Sequence, residues 1–164
     1  LFRYCYLYIN GGVYLDLDLL PHKPLKEILV SNADFISCLE NRPNRSINGI
    51  YQGFMACKKR LDFLKRAIDT IVHYTKINYY PLKQESDIWI NILAITGPVL
   101  LYNSMNFEKR PPCGYSKLND VDIFLYSYNQ QIFDLNNVEI IKNNIPYVQN
   151  NSYEELFKKK KIYY

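Results

Sequence analysis

The sequence predicts an α/β domain, and three observations carry that prediction. An acidic strand end, Val13 to Asp18, follows a helix-like run and a glycine pair near the start of the chain. Strand-like runs recur at 35–39, 50–57, 121–128 and 138–141. Between them lie two helical stretches, 58–76 with one apolar face and 88–95 apolar nearly all round. With 164 residues and 19.5 kDa, the chain is read as a single domain, 1–164, large enough to bury a core.

Leu1, Tyr4, Cys5, Tyr8 and Ile9 recur at helical spacing, with Arg3 on a different face. Asn10-Gly11-Gly12 ends this helix, because glycine enters the left-handed backbone region without steric cost. In the buried strand that follows, alternation sends Val13, Leu15 and Leu17 to one face and Tyr14, Asp16 and Asp18 to the other. The two carboxylates then share a face, with Cα atoms about 6.5–7 Å apart. Like charges at the end of an apolar strand call for a cation. A hard divalent ion, Mn²⁺ or Mg²⁺, takes one or two carboxylates and fills its remaining positions with water and phosphate oxygens. The pattern therefore points to a phosphorylated substrate, against the plainer reading of an acidic strand end entering a loop.

Pro21 and Pro24 turn residues 19–24 into an extended loop, in which His22 reads as a solvated side chain more readily than as a metal neighbour. Residues 25–30 read as a helical turn and 40–48 as a surface loop. Gly53 admits close backbone approach within its strand. In the long helix Leu61, Leu64, Ile68, Ile71, Val72 and Thr75 face inward, and the pairs Asp62/Arg66 and Asp69/His73 face outward. Tyr79-Tyr80 leads out of this helix, Ser86 caps the next one, Trp89 joins the core, and Gly97-Pro98 stops it.

Several classes of function are disfavoured. The net charge of +4 is modest, and the lysines gather at 158–161 as a solvated tail, which argues against a nucleic-acid partner. Cys5, Cys38, Cys57 and Cys113 lack the Cys-x-x-Cys spacing of zinc sites and read as reduced core residues. The longest apolar run, 88–102, is broken by Asn91 and Gly97-Pro98 and is too short for a transmembrane segment.

Leu1-Phe2-Arg3-Tyr4, Leu7-Tyr8 and Gly11 through Asp18 resemble the sugar-binding DXD region of family 32 glycosyltransferases. These include fungal mannosyltransferases, bacterial capsular polysaccharide transferases and, more distantly, large clostridial toxin glucosyltransferases. Gly53-Phe54-Met55-Ala56-Cys57 and Ala94-Ile95-Thr96-Gly97-Pro98 are similar to two later blocks in the same order. The resemblance is strongest over 1–105, while 112–164 diverges and retains only Asn151-Ser152-Tyr153 of a closing segment.

The resemblance implies a nucleotide-diphospho-sugar transferase (GT-A-like) fold, a mainly parallel sheet flanked by helices. It implies metal-dependent transfer of a hexose from a UDP- or GDP-sugar to a glycan, lipid or protein acceptor, with retention of configuration. Asp18 would be the direct metal ligand, and Asp16 would contact ribose or sugar hydroxyls and support the metal. Arg3, Gly11, Gly12, Tyr14 and Gln52 would complete the nucleotide-sugar contacts, with Gln52 standing where relatives carry Asn. An aspartate of the family's helix would precede Leu1, so the chain is expected to be N-terminally incomplete. Localisation stays open between the cytoplasm and a Golgi or other membrane reached through an upstream anchor. Two other readings remain: a truncated or inactive transferase-like binding module, and a haloacid-dehalogenase-like phosphatase, which also places two aspartates at i and i+2.

Overall fold

Strand residues that alternate between two apolar faces need cover on both, and the central strands of this chain obtain it. In the computed structural model, which describes residues 1–40, 48–80, 88–129, 131–134, 136–143 and 158–159, helices and strands intermix along the chain. The helices are α1 (Phe2–Asn10), α2 (Leu25–Ile28), α3 (Asp62–Lys76), α4 (Ile88–Thr96) and α5 (Pro98–Met105). The strands are β1 (Gly12–Leu15), β2 (Leu19–Pro21), β3 (Phe35–Glu40), β4 (Ile50–Cys57), β5 (Gly114–Leu118), β6 (Val121–Tyr128), β7 (Ile132–Phe133) and β8 (Glu139–Asn143). The expectations for the 41–47 loop, Ser86, the Trp89 side chain, 151–153 and the last two lysines of the tail fall outside the described residues.

The strands form one sheet in the order β1-β4-β3-β6-β7-β8-β2, with β5 also on β6. Among the described strands only β3 and β6 run parallel; the other pairings are antiparallel. This corrects the expected mainly parallel sheet. Parallel neighbours need a crossover of a dozen or more residues. Between described neighbours, the stretch carrying α3, α4 and α5 supplies one, and it joins the β3–β4 hairpin to β6. The sheet also curls. β1 and β2 lie at opposite ends of the strand order, yet only Asp16-Leu17-Asp18 separates them in sequence.

Phe35, Leu39, Ile50, Met55, Ile123 and Leu125 face a core closed by Tyr4 and Leu7 of α1, Phe63, Leu64 and Ala67 of α3, and Leu100 and Leu101 of α5. Phe35 and Phe63 meet edge to face at 5.0 Å. On the opposite face Ile36, Cys38, Phe54, Ala56, Phe124 and Tyr126 pack with Leu19, Ile28, Ile132 and Ile141. The register between β3 and β4 slips between Ile36 and Cys38, so Tyr51 and Phe54 lie on the same side. The Ser37 hydroxyl fills this bulge, bonding the carbonyls of Tyr51 at 2.8 Å and Phe54 at 3.0 Å.

Several local expectations change. Strand β1 stops at Leu15; Val13 is 38% exposed and Leu17 fully exposed, because the chain turns at Asp16, whose carbonyl accepts from the Leu19 amide at 3.1 Å. Leu19–Pro21 is a strand, not a loop: Pro21 ends β2, where its missing N–H costs little, and Leu19 pairs with Asn143. Gly97-Pro98 does stop α4, which ends at Thr96, and Pro98 also starts α5 at its first position, where proline is tolerated. On α3 Val72 and Thr75 are exposed, and the ion pair on its outer side is Lys65–Asp69 at 2.6 Å. Arg66 turns instead to the Ser104 carbonyl, 2.8 Å from its Nε. His73 is exposed, as the helix pattern suggests. Cys38 is buried, Cys5 and Cys57 are half-buried and Cys113 is exposed, and all four are unbridged.

Two consequences are measurable. Gly11 has φ 67° and ψ −158°, a region essentially confined to glycine, and a Cβ there would lie 2.9 Å from the Cys57 carbonyl oxygen and the Lys59 nitrogen. Gly12 has φ 96° but open space around it. In urea unfolding, Gly11→Ala should cost about 2–3 kcal/mol and Gly12→Ala about 1 kcal/mol.

The second concerns Asp34, which ties β3 to its neighbours: its Oδ1 lies 2.5 Å from Lys58 Nζ and its Oδ2 accepts from the Asp122 amide at 2.9 Å. The Lys58 hydrogen bond, then the Asp122 amide, hold its carboxyl below the ordinary value. A lowered folded-state pKa contributes stability above the unfolded value, near 3.9, which disappears as pH falls through the folded value. Unfolding midpoints measured at neutral pH and at about pH 3 should converge in Asp34→Asn relative to the parent protein.

Candidate functional site

The turn between β1 and β2 carries the acidic residues, and three other elements converge on it. Tyr14 and Asp16 keep the i, i+2 relation of a strand, and the Tyr14 hydroxyl donates to Asp16 Oδ1 at 2.7 Å. Arg3 reaches the same oxygen from α1, its Nη1 at 3.4 Å, and the same nitrogen donates to the Gln52 carbonyl at 2.9 Å. Its guanidinium carbon sits 4.7 Å from the Tyr14 ring centroid, within cation–π range. One cation thus holds a carboxylate, a ring and a strand carbonyl together, with both charged side chains about seven-tenths buried.

Strand β4 supplies the floor. Gly53 O accepts the Asp16 amide at 2.7 Å, one step beyond the Leu15–Phe54 pair in the same β1–β4 register, while Gln52 O, beside the slip against β3, takes Arg3. The Gln52 side chain runs the other way: its Nε2 donates to the Tyr4 hydroxyl and, at 3.1 Å, to the Thr96 carbonyl at the end of α4. A Cβ on Gly53 would strike the Tyr51 ring, which stacks on Tyr128 with centroids 3.8 Å apart.

The surroundings keep the tyrosines protonated. Burial first, then the hydrogen bond to Asp16, raise the Tyr14 phenol above its usual range. Burial drives the Tyr4 phenol up further. The Tyr51 phenol is raised by burial, then by Tyr128, with Asp16 and Asp18 adding to the effect.

Arg3, Tyr14, Asp16 and Gln52 are therefore brought together. Gly11 and Gly12 shape the turn from α1 into β1; Gly11 is buried against the start of the loop after β4, and Gly12 is exposed. Asp18 departs from the expected strand alternation. It sits half-buried in the turn after β1, without a hydrogen-bond or ion-pair partner among the described residues. His22 lies apart, its Nδ1 3.4 Å from Glu139 Oε1.

Sequence reasoning placed Tyr4 on the helix without a role in the site and did not single out Ser37 or Tyr51.

An acidic turn gripped by an arginine and a tyrosine at the end of a mixed sheet defines a polar, oxygen-rich binding site on an α/β scaffold. A family model described as "Glycosyltransferase sugar-binding region containing DXD motif" matches residues 1–35, the span holding Arg3, Tyr14, Asp16 and Asp18. This likeness to a glycosyltransferase sugar-binding region ends before β4. No curated protein matches the chain.

Among the described residues no three His, Cys, Asp or Glu side chains gather to hold a metal ion, and no helix is long and apolar enough to cross a membrane. A hard divalent ion that shares its coordination with water and diphosphate oxygens needs only one or two carboxylates. Asp18 and the second oxygen of Asp16 are donors of that type.

Gln52 joins α1, the bulge and α4, so its amide is expected to matter for stability. Gln52→Leu keeps most of the volume but deserts the Tyr4 hydroxyl and the Thr96 carbonyl, and chemical denaturation should report a loss of about 1–3 kcal/mol.

Proposed function

We propose that this chain is the sugar-donor region of a DXD glycosyltransferase, acting on a nucleotide-diphosphate hexose with UDP or GDP as carrier. The observation that supports it most is the coincidence of the family match over 1–35 with a built cluster, in which Arg3, Tyr14 and Asp16 are tied to Gln52 and the end of α4. The later blocks named in the sequence, around Gly53 and Thr96-Gly97, lie against this same cluster. On this reading the fold is a variant of the GT-A-like architecture, and the relatives are family 32 enzymes, mannosyltransferases among them.

The roles follow from the chemistry. Transfer builds negative charge on the leaving diphosphate. A divalent ion, Mn²⁺ or Mg²⁺, supplies compensating charge when bound. Asp18 holds that ion directly, and Asp16 supports it while accepting from ribose or sugar hydroxyls. Tyr14 fixes the rotamer of Asp16 through its neutral hydroxyl. Arg3 carries positive charge to the site, and its planar fork is suited to diphosphate oxygens. Gln52 holds the helix and strand that bear these groups at a fixed separation. Configuration is retained, and no side chain acts as a strong general base. The acceptor is a glycan, lipid or protein carrying a nucleophilic hydroxyl.

The test is hydrolysis and transfer with a panel of UDP- and GDP-hexoses and Mn²⁺, comparing the parent chain with Asp18→Ala. Turnover with one donor is expected, falling at least 10²-fold in the variant, on the order of losing a principal charge-stabilising group. Activity that survives Asp18→Ala and chelation unchanged would sink the metal-dependent mechanism. Silence in both proteins favours the inactive binding-module reading. Hydrolysis of p-nitrophenyl phosphate through an aspartyl phosphate favours the phosphatase.

A further inference from the structure

A second cleft, of about 510 Å³, lies between α3 and the α4–α5 pair. Neither Arg3, Asp16 nor Asp18 lines it. Its volume suits a small organic ligand, not a lone inorganic ion.

Two features mark it as more than a packing gap. Asn91 is only 3% exposed, lines the cleft, and its Nδ2 has no hydrogen-bond partner among the described residues. Native interiors pair nearly all such donors, so an orphan amide on a cavity wall calls for an acceptor in the cavity. The second feature is Arg66. Its Nε is fixed on the Ser104 carbonyl, which anchors the guanidinium where this cleft adjoins a neighbouring one lined by Phe107 and Lys117, and its terminal nitrogens make no hydrogen bond or ion pair among the described residues. A guanidinium held by one nitrogen with the rest of its fork presented is suited to a bidentate carboxylate or phosphate. The wall also holds Tyr74 and Tyr79, whose rings meet at 4.6 Å, and the Asn103 amide. Burial, then Tyr79, raise the Tyr74 phenol, so its hydroxyl stays a neutral donor.

We propose that this cleft binds an anionic hexose, a sugar bearing a carboxylate or a phosphate. Arg66 takes the anionic group, Asn91 and Asn103 take ring hydroxyls, and the tyrosine pair covers the apolar face of the sugar. The proposal does not depend on the donor site: it uses different residues, and its test is binding, not turnover.

The experiment is a calorimetric and amide-NMR titration of the full chain with glucuronate and with glucose 6-phosphate, using glucose and inorganic phosphate as controls. Saturable binding of at least one anionic sugar is expected, with shifts centred on α3 and α4. The arm that binds distinguishes carboxylate from phosphate. Arg66→Gln should weaken it about tenfold, the usual scale for one charged hydrogen-bonding group. Asn91→Leu should weaken it as well while raising the melting temperature, since it removes an unpaired buried amide without emptying the site. Asp18→Asn should leave the affinity unchanged. The proposal is overturned if neither anionic sugar binds, if inorganic phosphate binds as tightly as the sugar phosphate, if Arg66→Gln leaves the affinity intact, or if Asp18→Asn alone abolishes binding.

Discussion

Three residues join the two end strands of the sheet, and that short connection shapes the molecule. Laid flat, the order from β1 to β2 contains six strand spacings of about 4.8 Å each, or about 29 Å from end to end. From Leu15 to Leu19 the chain reaches at most about 14 Å. The sheet must therefore curl until its ends approach, and the residues that bridge the gap become the rim of the seam. Those residues are Asp16, Leu17 and Asp18. The carboxylates stand at the seam because the topology leaves the chain no other place for them. Leu17 is fully exposed for the same reason.

A rim of this kind needs an anchor, and β4 provides it. A regular strand would pair the carbonyls of Tyr51 and Phe54 with β3. The slip against β3 leaves them to the buried hydroxyl of Ser37, which bonds both. Beside this defect Gly53 holds the Asp16 backbone in continuation of the β1–β4 register and the Gln52 carbonyl holds Arg3, so β4 fixes the turn at the edge of the sheet. Through the Gln52 amide the same strand reaches Tyr4 and the α4–α5 junction. Helix α4 is thus tied to the acidic turn at its end and lines a separate cleft along its flank.

Much of this was legible in the sequence where a local rule had one solution. Asn10-Gly11-Gly12 ends α1, β6 spans the residues its pattern marks, and Phe35 to Leu39 is a fully buried strand. Tyr14 and Asp16 share a face because period-two alternation survives from one to the other. Legibility failed where long-range pairing decides. Pro21 argues against a strand locally, yet it ends β2 because β8 lies beside it. Gly97-Pro98 stops α4 as the sequence indicates, but that Pro98 also opens α5, whose Leu100 and Leu101 enter the core, is not written in the local pattern. The mainly parallel sheet was implied by resemblance, and strand direction here follows connection length. The bulge was invisible because it depends on the register of β4 against β3, which no single strand encodes.

The two aspartates look equivalent in the sequence and are not equivalent in the fold. Asp16 lies within the reach of α1 and of the last residues of β1, so Arg3 and Tyr14 compensate its charge and fix its orientation. Asp18, two residues on, has left the strand and has no hydrogen-bond or ion-pair partner among the described residues. One carboxylate is held by the protein and the other is left to solvent or to whatever cation binds there. A site with one oriented carboxylate and one uncommitted carboxylate can accept a hard ion without first breaking an internal ion pair, which is the economy the proposed chemistry requires.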